Sequence, residues 1–228
     1  MATKSKTEEI IVIKPIETIT TEITIIGDTP LIMHAWSEKA KKEMLEAQQG
    51  AKKAKKKAYR NPVAEFITSM YWLTPMPEIT EDMKETECEE AFNKAIKDGA
   101  RFCFPVVSIK EAACSAAYRQ GYTKSITAPS GAFQVYGIGQ HKDMVEIISD
   151  PPIMREDMVK IGMGTADLRY RGEFNNWSAK LKIKAIKDGA FNLESIINMI
   201  NLGGFCCGLG EWRNDRRGVN GAFHVDTQ

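Results

Sequence analysis

The clearest signal along the chain is alternation. In Ile19-Thr20-Thr21-Glu22-Ile23-Thr24-Ile25-Ile26 apolar and polar residues trade places, which predicts a half-buried strand ended by Gly27-Asp28-Thr29-Pro30. Trp177 to Ile186 sets Trp, Ala, Leu, Ile and Ala against polar positions and predicts the most regular strand. Shorter strands are predicted at 132–138, 144–148 and 157–161, between Gly, Asp and Pro signals, and at the closing Gly221-Ala222-Phe223-His224-Val225. Two helices follow the 3.6-residue period. One is Ala-rich, from Ile109 to about Gln120, with Ser108 as its cap and Gly121 as its stop. The other runs from Leu193 to Leu202 after Asn192, sets Leu193, Ile196, Ile197 and Ile200 on one face, and ends at Gly203-Gly204. A third helix is predicted from Ser37 to Arg60, rich in Lys, Glu, Ala and Gln, with Asn61-Pro62 as its stop.

The order strand 19–26, helix 109–120, strand, strand 177–186, helix 193–202, strand 221–226 is that of a βαββαβ sandwich. The expected class is therefore α+β, a modified ferredoxin-like (RRM-like) fold with charged helical insertions. One elaborated domain is expected over 1–228, with a disordered tail at 1–9 and a charged helical insertion at 37–100. Two helices would cover one sheet face and leave the other face, and the inserts, free for binding. The hexapeptide Ala-Ile-Lys-Asp-Gly-Ala occurs at 95–100 and 185–190. It reads as a shared turn, because one copy follows a helix and the other a strand.

Composition narrows the classes without naming a function. With 228 residues, 43% hydrophobic and 27% charged, the chain can bury a core and is neither collagen-like, wholly disordered nor a coiled coil. Its net charge of +1 carries no argument for a polyanionic partner, but the total conceals two patches. Between Glu38 and Arg60 nine basic residues face three acidic ones, a local +6; between Glu78 and Glu90 seven acidic residues face Lys84 alone, a local −6. No run approaches the roughly 18 apolar residues of a membrane span, and Met1 to Glu9 is polar, so no membrane contact and a cytoplasmic location are expected. The five cysteines form no C-x-x-C pair and read as small buried side chains in a reducing compartment.

Catalysis is poorly provided for. His34, His141 and His224 lie in dissimilar contexts, and no H-x-x-x-H, G-x-S-x-G, H-x-E…C-x-x-C or paired His–carboxylate motif is visible. Gly137-Ile138-Gly139 and Gly162-Met163-Gly164 do not complete a dinucleotide loop, and no P-loop is present. The expectation is a protein that is no enzyme, with no cofactor and no metal.

The informative stretch is Asn201 to Gly221, where Gly208, Gly210, Gly218 and Gly221 flank Trp212, Arg213, Arg216 and Arg217. Glycines at positive φ can aim backbone N–H groups into an anion-binding concavity. The arginines add phosphate donors and Trp212 a stacking face. Lys39, Lys41, Lys42, Lys52, Lys53, Lys55, Lys56, Lys57 and Arg60 can line a groove that tracks a nucleic-acid backbone. Arg169 and Arg171 share one face of a strand and suit either phosphate contact or pairing with acids. Trp72, Phe174 and Trp177 are expected in the core.

At this point the chain resembles the RAMP superfamily, the Cas7-like backbone subunits of CRISPR effector complexes. The match lies in Gly203 to Gly221 at the place of that family's glycine-rich loop, in Phe104-Pro105-Val106-Val107-Ser108-Ile109-Lys110-Glu111-Ala112 at the opening of its first helix, and in Gly27-Asp28-Thr29-Pro30-Leu31-Ile32. Glu111 stands where the family has glycine, and the aspartate context of target cleavage is missing. Arg169-Tyr170-Arg171-Gly172-Glu173-Phe174-Asn175-Asn176-Trp177 and Gly208-Leu209-Gly210-Glu211-Trp212-Arg213 are also similar to a family of uncharacterised phage proteins, which implies the cytoplasm of a bacterial host. The resemblance implies a non-enzymatic binder of single-stranded RNA or DNA that assembles head to tail into an oligomer or filament. Its contacts would be Lys52, Lys53, Lys55, Lys56, Lys57, Arg60, Lys110, Arg169, Arg171, Gly208, Gly210, Trp212, Arg213, Arg216 and Arg217. A structural or regulatory phage protein acting through protein contacts, and a RAMP-type nuclease with His34 or His141 as base, stay open as alternatives.

Overall fold

Alternation of the predicted kind closes into sheets. A computed structural model describes residues 15–36, 41, 44–46, 48–49, 60–161 and 164–226. Along these the chain forms β1 (Thr18–Gly27), β2 (Leu31–Met33), α1 (Pro62–Thr68), α2 (Glu85–Lys97), β3 (Phe102–Pro105) and α3 (Val106–Arg119). It continues with α4 (Thr127–Ala132), β4 (Phe133–Gly137), β5 (Met144–Ile147), β6 (Ile153–Ile161), β7 (Thr165–Phe174), β8 (Ser178–Ile186), α5 (Leu193–Cys206), a 3-10 turn at Asn214–Arg216, and β9 (Phe223–Val225). The protein is a mixed α+β structure. The expected tail at 1–9 and the lysines at 52, 53, 55, 56 and 57 lie outside the described residues.

The main sheet has the order β4-β8-β1-β9 and is antiparallel throughout. β1 and β8 pair from Thr18↔Ile186 to Ile26↔Ser178. This register puts Ile25 on one face with Ala179, Leu181, Ile183 and Ala185, all of them buried. Helices α3 and α5 pack on each other; α3 also meets β4, and α5 meets β9. Two smaller sheets, β2-β7-β6 and β3-β5, complete the strands. Edge-on aromatic pairs join these parts: Phe66 of α1 meets Phe92 of α2 at 5.0 Å, and Phe102 of β3 meets Phe174 of β7 at 5.2 Å. Pairs of this kind add about 0.5–1.5 kcal/mol each beyond the area they bury. Trp177 and Phe174 are in the core as expected, and Trp72 is half-buried with its indole N–H donated to the Ile67 carbonyl.

The structure departs from the sequence reading in instructive places. Asn61-Pro62, expected as a stop, begins a helix: the Asn61 side chain accepts the Ala64 N–H at 3.0 Å and Pro62 takes the first helical position, while residues 50–59 before it lie outside the described residues. The new helix, α1, buries Val63, Phe66 and Ile67, so the middle of the expected 37–100 insertion belongs to the core. Helix α3 starts three residues early, with Pro105 at its cap position, and Ser108 lies inside it. The long hairpin of β6 and β7 extends well beyond the predicted 157–161. The two copies of Ala-Ile-Lys-Asp-Gly-Ala do not share a turn: the left-handed residue is Gly99 (φ 84°) in one and Asp188 (φ 56°) in the other.

The most consequential departure is that α5 does not stop at Gly203-Gly204 but runs on to Cys206. The absent side chains are what the packing requires. A Cβ on Gly203 would lie 2.7 Å from the Ala113 nitrogen, and one on Gly204 would press on the Phe223 carbonyl and lie 2.7 Å from the Phe223 ring. Gly204→Ala is expected to cost about 1–3 kcal/mol by overpacking, a fall of several degrees in Tm. Gly131→Ala, in α4 with open space around it, should leave Tm unchanged or raise it. Thermal unfolding of both variants checks this; equal melting of the two would refute the packing account.

Candidate nucleic-acid interface

Because α5 continues to Cys206, the glycine-rich loop that follows is delivered to the last turn of α3. Three contacts join these parts. Arg119 of α3 forms an ion pair with Asp215, the Gln120 amide lies 3.6 Å from the Cys206 sulfur, and the Asn214 amide donates to the Phe205 carbonyl at 3.1 Å. At the corner so formed, Phe205 and Tyr122 are 76% and 74% exposed, Tyr118 is 47% and Trp212 40% exposed. Large exposed rings gathered on neighbouring segments are informative, and these lie at the ends of α3 and α5 and on the loop that carries Arg213, Arg216 and Arg217.

The loop arginines divide by function. Arg213 is structural: it donates to the Gly210 carbonyl at 2.9 Å and reaches Asp215 at 3.5 Å. Arg216 has a side chain 72% exposed and only a 3.8 Å contact with Asp215, while Arg217 is exposed at φ 63° and forms no ion pair among the described residues. Asp215 thus anchors Arg119, Arg213 and Arg216 together. Hydrogen bonding to Arg119, reinforced by the other guanidinium charges, holds its carboxyl below the ordinary aspartate range.

The glycines do not build the expected phosphate nest. Their φ is positive, 71° at Gly208 and 73° at Gly210, but the loop amides are spent on backbone partners: Leu209 N–H on Gly221, Glu211 N–H on Ile32 and Asn220 N–H on Trp212. A Cβ on Gly210 would press on the Ile32 carbonyl and lie 2.9 Å from the Leu31 side chain. The glycines serve close approach of the loop to β2.

Beside the loop, along α3, lies a cleft of about 280 Å³ lined by His34, Ser108, Glu111, Ser115, Arg119, Glu211 and Asp215 among others. Its lining arginines, Arg119, Arg213 and Arg216, are matched by Glu111, Glu211 and Asp215. His34 Nδ1 stands 3.5 Å from Glu211 Oε1, and Arg171 reaches the other oxygen at 3.8 Å. These partners, His34 foremost, hold the Glu211 carboxyl below its usual range despite its burial. A second pair, His224 Nδ1 with Asp28 Oδ1 at 2.7 Å, stands across the β1–β9 junction. Both histidine–carboxylate pairs join residues more than 170 positions apart, so neither forms a motif that the sequence could display.

The remaining candidates are scattered. Arg171 is buried and paired with Asp157 at 3.4 Å, its Nε without a partner, so burial removes it from the surface set. Arg60 bridges Glu65 and Asp167 at the edge of β7, and Arg169 pairs with Asp167 at 3.0 Å. Lys110 sits over the Phe133 ring at 5.5 Å. Signals that sequence reasoning missed are the aromatic residues Phe205, Tyr118 and Tyr122, and a row of lysines on the open face of β8, Lys180, Lys182 and Lys184, visible as the polar half of that strand's alternation. No helix among the described residues is long and apolar enough to cross a membrane. In comparisons with known proteins, no family model matches the chain and no curated protein is similar to it.

The depressed Asp215 carboxyl gives a pH prediction. A folded value below the unfolded one contributes stability above roughly pH 3.9, and that contribution is lost as pH falls through the folded value. Asp215→Asn should therefore melt below the wild type at pH 7, and the gap should close toward pH 3. Melting curves of both proteins across this range check it; a gap independent of pH would assign the loss to something other than the ionised carboxylate.

Proposed function

We propose that the protein is a non-enzymatic binder of single-stranded nucleic acid that assembles head to tail. The observation that carries the reading is the corner where the ends of α3 and α5 meet the loop, with Phe205, Tyr122, Tyr118 and Trp212 exposed on these segments and Arg216 and Arg217 exposed on the loop. Rings stack on unpaired bases of any sequence, and arginines hold the phosphates between them, which favours strands whose bases are not already paired. The strand order β4-β8-β1-β9, with α3 between β1 and β4 and α5 between β8 and β9, supports a modified ferredoxin-like fold carrying charged inserts. It is in keeping with the resemblance to Cas7-like RAMP proteins and to phage proteins. RNA and DNA share the stacking and phosphate chemistry, so both are expected ligands.

The test is an anisotropy titration of labelled single strands at several salt concentrations. Phe205→Ala and Tyr122→Ala should each weaken binding by about 1–3 kcal/mol, alike for different sequences. Replacing Arg216 and Arg217 with alanine should lower the salt slope by about 1.4, roughly 0.7 per phosphate contact. Unchanged affinity and slope in all these variants would remove the corner from the binding surface. A second reading, cleavage with His34 as base, draws on the His34–Glu211 pair in the cleft. Strand scission abolished by His34→Ala would favour it; strands left intact by the wild type, with or without Mg²⁺, would favour the binder.

A further inference from the structure

The main sheet has two unlike faces. On the side away from α3 and α5, β8 presents Lys180, Lys182 and Lys184 between buried Ala179, Leu181, Ile183 and Ala185. Thr20 and Thr24 of β1 lie opposite Lys184 and Lys180, and Gln134 and Tyr136 of β4 opposite Lys184 and Lys182. Among the described residues Glu22 alone forms ion pairs with these lysines, at 3.1 Å from Lys180 and 3.8 Å from Lys182. The face is cationic, broad and open.

Its chemistry differs from that of the corner. It carries no arginine among these residues, and its one ring, Tyr136, gives its hydroxyl to Gln134. A lysine row without stacking partners suits fixed carboxylates better than unpaired bases. The same chain supplies such carboxylates. Glu78, Asp82, Glu87, Glu89 and Glu90 are all exposed, on α2 and the segment before it, while α2 turns Cys88 inward and packs Phe92 on Phe66 of α1.

We propose that the lysine face of β8 docks the acidic segment 78–90 of a second copy. Spacing agrees with charge: alternate lysines on a strand recur every ~6.6 Å, and side chains three residues apart on a helix, such as Glu87 and Glu90, stand about 5–6 Å apart. The two patches occupy different parts of the molecule, so each copy offers one and receives the other. The contact is heterologous and propagates into rings or filaments. This inference rests on the head-to-tail assembly proposed above and gives it an interface within the described residues.

The experiment reverses each patch separately. One variant carries Lys180→Glu, Lys182→Glu and Lys184→Glu; the other carries Glu78→Lys, Asp82→Lys, Glu89→Lys and Glu90→Lys. Light scattering at low salt should find an oligomer for the wild type and smaller species for each variant. Mixing the two variants in equal amounts should restore the mass, because each then meets its complement; that recovery also shows that both variants fold. A wild type that is monomeric overturns the assembly and the interface with it. An oligomer unaffected by either reversal overturns the interface alone, as does lost mass that mixing does not recover. Loss of single-strand binding by the lysine variant at unchanged mass overturns it too and gives the face to nucleic acid.

Discussion

The close approach of α5 to α3 and β9 is the constraint on which the functional corner depends. Two adjacent glycines in an apolar helix remove the side chains that would hold the elements apart, and Ala112, Ala113, Ala116 and Ala117 do the same from α3. The helix can then continue past Gly203 and Gly204 instead of ending there. Four more residues than the expected end at Leu202, about one turn, decide where the loop begins and so bring Phe205 and the turn at Asn214–Arg216 to the end of α3. Packing of small residues in the core thereby places the aromatic and cationic groups on the surface.

Charge is then distributed according to burial. Buried or half-buried cations are neutralised: Arg171 by Asp157, Arg155 by Asp157 and Glu173, and Arg213 by Asp215, which the exposed Arg119 shares. An unpaired charge there would be costly to desolvate. At the surface the compensation weakens at Arg216, Arg217 and the lysines of β8, the residues for which external partners are proposed. The arginines share a loop with exposed Trp212, and the lysines stand opposite threonines, which is why different partners are proposed for the two surfaces.

Much of this architecture was legible in the sequence, for reasons that can be named. β1, β4 and β8 alternate cleanly because one face is buried and one solvated, and their predicted limits lie within a residue or so of the observed ones. Asn192 was recognisable as a cap because its side chain does what the rule says, accepting the Ser195 N–H. The misreadings have different causes. Gly203-Gly204 looks like a stop when only the local backbone is considered, and packing against Ala113 and Phe223 overrules it, whereas Asn61-Pro62 carries a local start signal, a capping Asn before a Pro at the first helical position. Of the candidate site, the loop and its exposed arginines were visible, while Arg171, a surface cation by composition, proved to be buried beside Asp157 and Glu211. The pairs His34–Glu211 and His224–Asp28 were invisible, since they form only when distant elements meet.

The most direct test of the account is equilibrium titration of the purified protein with a labelled single-stranded oligonucleotide and with the same sequence as a duplex, at low and moderate salt. The account predicts tighter binding of the single strand, little dependence on its sequence, and affinity that falls linearly as log affinity against log salt. Binding of neither form, or tighter binding of the duplex, would contradict it.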